Sequence, residues 1–194
     1  MAKRLMKLVF GGISLSVAFL PAAASAFGRW ETLYELFAHA YALLPGIMGD
    51  YLRIAFYRLT LAQCSLSSRI SFGSFLPHPD TCLGPHVYIG SYCVIGKSTI
   101  GERTQIASGV QILSGRYQHL RDSAGQIGGA TEESFVPVTI GADCWIGAAA
   151  IIMADVGAGS TIGAGSVVSR PIPPRSVAVG SPARVIKTVA AGGQ

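Results

Sequence analysis

Val138-Thr-Ile140-Gly-Ala-Asp-Cys-Trp-Ile146-Gly-Ala-Ala-Ala-Ile-Ile152 places an aliphatic residue at every sixth position. The same spacing runs upstream through Leu83, Ile89 and Ile95, then, after a step of five, through Ile100, Ile106 and Ile112. Downstream, after a step of four, it continues through Val156, Ile162 and Val168. A small residue often follows the aliphatic one, as at Gly84, Gly90, Gly96, Gly101, Gly141, Gly147, Gly157 and Gly163. Small or β-branched residues stand four places after it, at Cys93, Thr99, Thr104, Val110, Cys144, Ala150, Ser160 and Ser166.

Internal repetition of this kind decides the architecture. A period of six does not fit the helical repeat, and an α-helix would scatter these aliphatics around its axis. Six residues do fit one short strand plus a turn. Three such units close a triangular coil whose aliphatic side chains stack inward, and successive coils share strand hydrogen bonds at about 4.8 Å. The expected fold class is therefore all-β, a parallel β-helix over 70–194, with a hydrophobic and helical appendage over 1–69. Handedness does not follow from the period, since the general rule for parallel crossovers is right-handed.

The 24 glycines fit a chain of many tight turns, and the low charged fraction of 13% leaves ample apolar material for a core. The formal net charge of +5 is concentrated at the ends: Lys3, Arg4 and Lys7 at the start, Arg170, Arg175, Arg184 and Lys187 after the last acid. Basic ends suit a membrane surface or a phosphate-bearing ligand. The repeat region carries no basic stripe interleaved with aromatics, which argues against a nucleic-acid partner. Cys64, Cys82, Cys93 and Cys144 form no metal-like grouping. Two of them, Cys93 and Cys144, fall at small inward positions, and all four read as free thiols of a reducing compartment.

Residues 8–27 are apolar and uncharged behind a basic start, and end with Ala-Ser-Ala before Phe27. That stretch reads either as a secretory signal or as a membrane span. A second apolar stretch, 36–49, is interrupted by Pro45-Gly46, and 51–59 reads as an amphipathic helix with Arg53 and Arg58 on its polar side. If both apolar stretches enter the bilayer as a hairpin, the repeat domain stays on the cytoplasmic side of the inner membrane, with both arginines at the anionic leaflet. Export after cleavage is the alternative.

The segment 114–137 breaks the repeat with a polar loop containing Arg116, Tyr117, His119, Arg121, Asp122, Glu132 and Glu133. Long loops in a regular scaffold are often functional. A neutral imidazole is suited to removing a hydroxyl proton, and His119 is the histidine of this loop. His39, His78 and His86 read as structural. No histidines are spaced for a metal, so no metal site is expected.

The pattern Ile-Gly-x-x-small-x, the loop histidine ahead of Trp145-Ile146-Gly147, and the closing segment from Ile162 to Ile186 resemble the hexapeptide-repeat acyltransferases, over about residues 77 to 189. The sugar O-acetyltransferases are the most similar branch. The resemblance implies left-handed coils, a homotrimer with sites between subunits, and acetyl transfer from acetyl-CoA to a sugar or polysaccharide-precursor hydroxyl. It implies His119 as general base, oriented by Glu132, with Glu133 and Asp122 left open as orienting acids. It puts CoA against Ala148, Ala164 and Ser169, with Arg184 and Lys187 at its phosphates, and Trp145, Arg116 and Tyr117 toward the acceptor. Lys187 departs from the arginine common at that position. A non-catalytic β-helical scaffold and a β-helical carbonic anhydrase are the rival readings.

Overall fold

The computed structural model describes the backbone of residues 2–114, 124–129 and 134–188, with side chains from residue 9 onward. Three helices come first: α1 (Ala2–Ala24), α2 (Glu31–Ala42) and α3 (Gly46–Thr60). The rest is a three-sided coil of parallel strands. Face A stacks Gln63–Cys64, Cys82–Leu83, Ser98–Ile100 and Val138–Ile140. Face B stacks Arg69–Ile70, Tyr88–Ile89, Gln105–Ile106, Trp145–Ile146, Thr161–Ile162 and Ser176–Val179, and ends on antiparallel Arg184–Thr188. Face C stacks Val94–Ile95, Gln111–Ile112, Ile151–Ile152 and Val167–Val168.

The repeat aliphatics form three buried columns. Leu83, Ile100, Ile140 and Val156 stack behind face A; Ile89, Ile106, Ile146 and Ile162 behind face B; Ile95, Ile112, Ile152 and Val168 behind face C. Each such side chain contributes about 1.5–3 kcal/mol by leaving water. The small inward residues are buried too, and several use a hydroxyl to tie coil to coil. Thr104 Oγ1 donates to the Gly141 carbonyl at 2.8 Å and accepts from Cys144 N at 3.1 Å. Gly141 tolerates nothing larger, since a Cβ there would stand 2.4 Å from the backbone nitrogen of Ala158.

The repeat reading is off at one position. Thr99 is exposed and Ser98 is buried in its place, because the step of five shortens that corner by one residue. The coil also starts before residue 70. Gln63–Cys64 pairs with Cys82–Leu83, and Cys64, Ile70 and Leu76 are inward with the same spacing of six. That coil lacks the Ile-Gly pairs, which is why it reads poorly in sequence.

The helices cap the open end of the coil. Tyr34 Oη donates to the Leu76 carbonyl at 2.6 Å, and Leu76 N donates to Tyr57 Oη at 3.0 Å. Arg53 does not face a membrane. It is fully buried, donating from Nε to the Ile70 carbonyl at 2.9 Å and from Nη1 to the Tyr41 and Leu44 carbonyls at 3.0 and 2.7 Å. Asp50 pairs its other nitrogen. Carbonyls at the C-terminus of α2, at Leu44 and at the first coil supply the acceptors a buried guanidinium needs. Residues 36–49 are not one segment. The chain turns at Leu43–Pro45, between α2 and α3, and Tyr41 and Ala42 are buried. Among the described residues no helix is long and apolar enough to cross a membrane.

Candidate functional site

The coil has three edges. At edge A/B and edge B/C the turn uses one residue with positive φ per coil: His86, Arg103, Asp143, Gly159 and Arg175 on the first, Gly73, Tyr92, Gly109, Ala149 and Gly165 on the second. These stack in register, so each turn repeats the geometry of the one above. On edge A/B, Arg103 grips Asp143 with two hydrogen bonds of 2.7 Å. The pairing raises the arginine's pKa and holds the Asp143 carboxyl below the usual range. His86, expected to be structural, sits at this edge.

Edge C/A is the interrupted one. Ile112 leaves face C and Val138 opens face A, so the loop 114–137 springs from this edge. Above it lie His78 and Asp80, and Lys97 pairs with Asp80 at 2.8 Å. Below it, Asp155 Oδ1 accepts from Thr139 N at 2.7 Å. The returning leg of the loop comes back to the first coil, where Phe135 packs on the ring of His78 at 4.8 Å. A cleft of ≈ 450 Å³ opens between cap and first coil, lined in part by Arg29, Glu31, His78 and Asp80. Sequence alone assigns His78 a structural role and does not single out Asp80, Lys97 or Asp155. Their shared edge emerges only once the coils are in register.

His119, Glu132, Arg116 and Tyr117 lie outside the described residues, as do Glu133 and Asp122. The other expected site residues fall in three places. Ala148 and Ala164 are exposed neighbours on edge B/C, where Gly165 N donates to the Ala148 carbonyl at 2.8 Å. A Cβ on Gly147 would stand 2.5 Å from Ala164 N, so this edge stays low and smooth. Arg184 pairs with Val179 just below, and Lys187 pairs with Val177; both are exposed. Ser169 instead lies on edge C/A, in register two coils below the loop root, about 10 Å away. Trp145 stands exposed in the middle of face B, between Gln105 and Thr161. In a triangular coil, face B lies opposite edge C/A, so Trp145 and the loop root are on different sides of one chain.

The three buried cysteines, Cys64, Cys93 and Cys144, are poor nucleophiles. Burial pushes the Cys64 thiol up to about 12 and raises Cys93 and Cys144 as well. Among the described residues no cluster of His, Cys, Asp or Glu could hold a metal. His39 is tied to its own helix, with Nδ1 2.8 Å from the Glu35 carbonyl, and packs on Phe75.

Residues 137–170 match the family model of the hexapeptide repeat of succinyl-transferase. That stretch of the coil is a hexapeptide repeat. Galactoside O-acetyltransferase of Escherichia coli is 40% identical over 96 residues, which is 47% of this chain and 44% of that protein. The chain spans less than half the length of the curated relatives it matches. Among solved structures, a maltose O-acetyltransferase from Clostridium difficile superposes with a TM-score of 0.69 at 24% identity, covering 88% of this chain and 91% of its own. An N-acyltransferase from Bacillus cereus, in complex with dTDP-4-amino-4,6-dideoxyglucose and coenzyme A, gives 0.50 at 23% identity, covering 64% and 71%. At these identities the structural likeness is one of fold.

Proposed function

We propose that this chain is an acyltransferase that moves an acetyl group from acetyl-CoA to a hydroxyl of a saccharide, or of a polysaccharide or glycolipid precursor. The observation that carries the reading is a polar loop inserted into one edge of a hexapeptide coil whose second edge carries only small side chains at Ala148, Ala149 and Ala164. His119 Nε2 or Nδ1 takes the acceptor's hydroxyl proton, with Glu132 fixing the tautomer. The oxygen attacks the thioester carbonyl, the carbon–sulfur bond breaks, and the leaving thiolate takes the proton back from the imidazolium.

The residues fit such a donor. The pantetheine arm is long and thin, and Ala148 and Ala164 are exposed neighbours whose side chains are single methyl groups, so the arm can lie close to the backbone there. Arg184 and Lys187 lie at its lower end in a stretch with no acid after Asp155. A guanidinium grips phosphate with two bonds, and Lys187 serves as a point charge. The acceptor belongs on edge C/A, with the cleft by His78 above it. Because Trp145 and Ser169 lie on different sides of the coil, we read the site as completed by a neighbouring subunit, in a homotrimer of left-handed coils. The reading places the domain on the cytoplasmic side, where acetyl-CoA is made.

The test is the purified full chain with acetyl-CoA and a panel of saccharides, following release of free thiol. Acceptor-dependent release supports the reading, and its absence across the panel with a folded protein contradicts it.

A further inference from the structure

Helix α1 has two unlike faces. Ser14, Ala18 and Ala22 are buried against the rest of the cap, and Phe10 stacks on Tyr51 of α3 at 5.9 Å. The opposite face carries Val9, Ile13, Val17 and Leu20, all more than half exposed and Leu20 at 75%. They recur at three or four residues, so they form one stripe. Phe19, Phe27 and Trp30 extend the exposed apolar surface at its C-terminal end, where Phe19 and Phe27 meet edge to face at 5.9 Å. A continuous apolar stripe of this kind on a folded protein marks a docking surface.

Charge selects the occupant. Residues 1–30 contain no Asp or Glu, and contain Lys3, Arg4, Lys7 and Arg29. We propose that α1 docks on an anionic lipid surface, lying in the plane of the headgroup boundary with its stripe inserted, and does not cross the bilayer. A spanning helix would present apolar side chains all round to lipid. Here one side, from Phe10 to Ala22, is covered by the protein itself, and α3 is bolted to the coil through Arg53. Crossing would drag that helix and the first coil into hydrocarbon, where Arg53 and Asp50 have no place. Basic residues in the first turns and an exposed tryptophan at the far end suit an interfacial helix.

The experiment is flotation of the full chain with vesicles of phosphatidylcholine mixed with phosphatidylglycerol, against vesicles of phosphatidylcholine alone. The wild-type chain should float with the anionic vesicles, bind the zwitterionic ones more weakly, and be extracted by alkaline carbonate. The triple variant Ile13→Gln/Val17→Gln/Leu20→Gln should bind the anionic vesicles at least about tenfold more weakly, with its helical circular dichroism and thiol release on a soluble acceptor unchanged. Leu20→Gln alone repeats the test should the triple variant unfold. Failure of the wild type to float, or equal flotation of the variant, overturns the proposal. So does resistance to carbonate, which would mark a span. A particle that is smaller in the variant than in the wild type without lipid would show a second copy on the stripe, and overturns it too. The transfer assay on a soluble acceptor reports separately on the acyltransferase reading.

Discussion

The ring of His78 lies 4.8 Å from that of Phe135, centroid to centroid, with 50° between their planes. His78 follows the first coil, whereas Phe135 ends a loop rooted two coils below. This contact therefore fixes where the loop returns. An aromatic pair of this geometry is worth about 0.5–1.5 kcal/mol beyond its buried area. Phe135→Ala should lower kcat/KM by about two- to tenfold, the equivalent of that energy, with little change in the denaturation midpoint. Unchanged kinetics would mean that the contact does not position the loop.

Arg53 joins cap to coil. Arg53→Met would strand the Ile70 and Leu44 carbonyls, leave the Tyr41 carbonyl with Leu44 N alone, and leave Asp50 with Arg69 as its remaining partner. Removing one side of such a buried set costs about 3–5 kcal/mol. Urea denaturation followed by circular dichroism should show a loss of that size. A loss below about 1 kcal/mol, the level of an exposed pair, would show that the cap holds without this arginine.

The buried thiols make stability depend on alkaline pH. Folding raises the pKa of Cys64 from 9.0 to about 12 by burial, so the folded chain favours the protonated thiol. The contribution is complete below pH 9 and is lost as pH rises toward 12, at up to about 1.4 kcal/mol per unit. Cys93 and Cys144 act in the same direction. Denaturation midpoints should be level up to pH 9 and fall above it. Cys64→Ala should flatten that fall, and an unaltered slope would contradict the assignment.

The location of Trp145 predicts the outcome of mixing subunits. If one chain's Trp145 serves the loop of its neighbour, His119→Ala and Trp145→Ala homo-oligomers should each be weak. Co-refolded mixtures should regain activity, because some sites then hold both native residues. No recovery in verified mixed oligomers would place Trp145 outside the site.

The period of six made the fold legible, because it sets which residues point inward regardless of what surrounds the coil. It misplaced Thr99, where a corner loses a residue, and it reached the coil of Cys64, Ile70 and Leu76 only from residue 70 onward, because the glycine punctuation is absent there. Arg53 was misread for a different reason. The amphipathic reading puts it with Arg58 on a polar side, but does not show that buried backbone carbonyls wait for it. The grouping of His78, Asp80, Lys97 and Asp155 near one edge was invisible, since 77 positions separate His78 from Asp155 along the chain. The loop was legible as an interruption, and the small residues of edge B/C as part of the repeat. Ser169 was grouped with Ala148 and Ala164, although the fold puts it on the edge of the loop.

The central claim is that His119 acts as general base in acyl transfer. The most direct measurement is the pH dependence of kcat/KM for the wild-type chain and for His119→Ala, by thiol release with a saccharide accepted by the wild type. The wild type should show an acidic limb near the histidine range, about pH 6.5. The variant should keep the native circular dichroism and lose about 10²–10⁴-fold in rate, together with that limb. A folded variant that retains full activity and the same acidic limb would contradict the account.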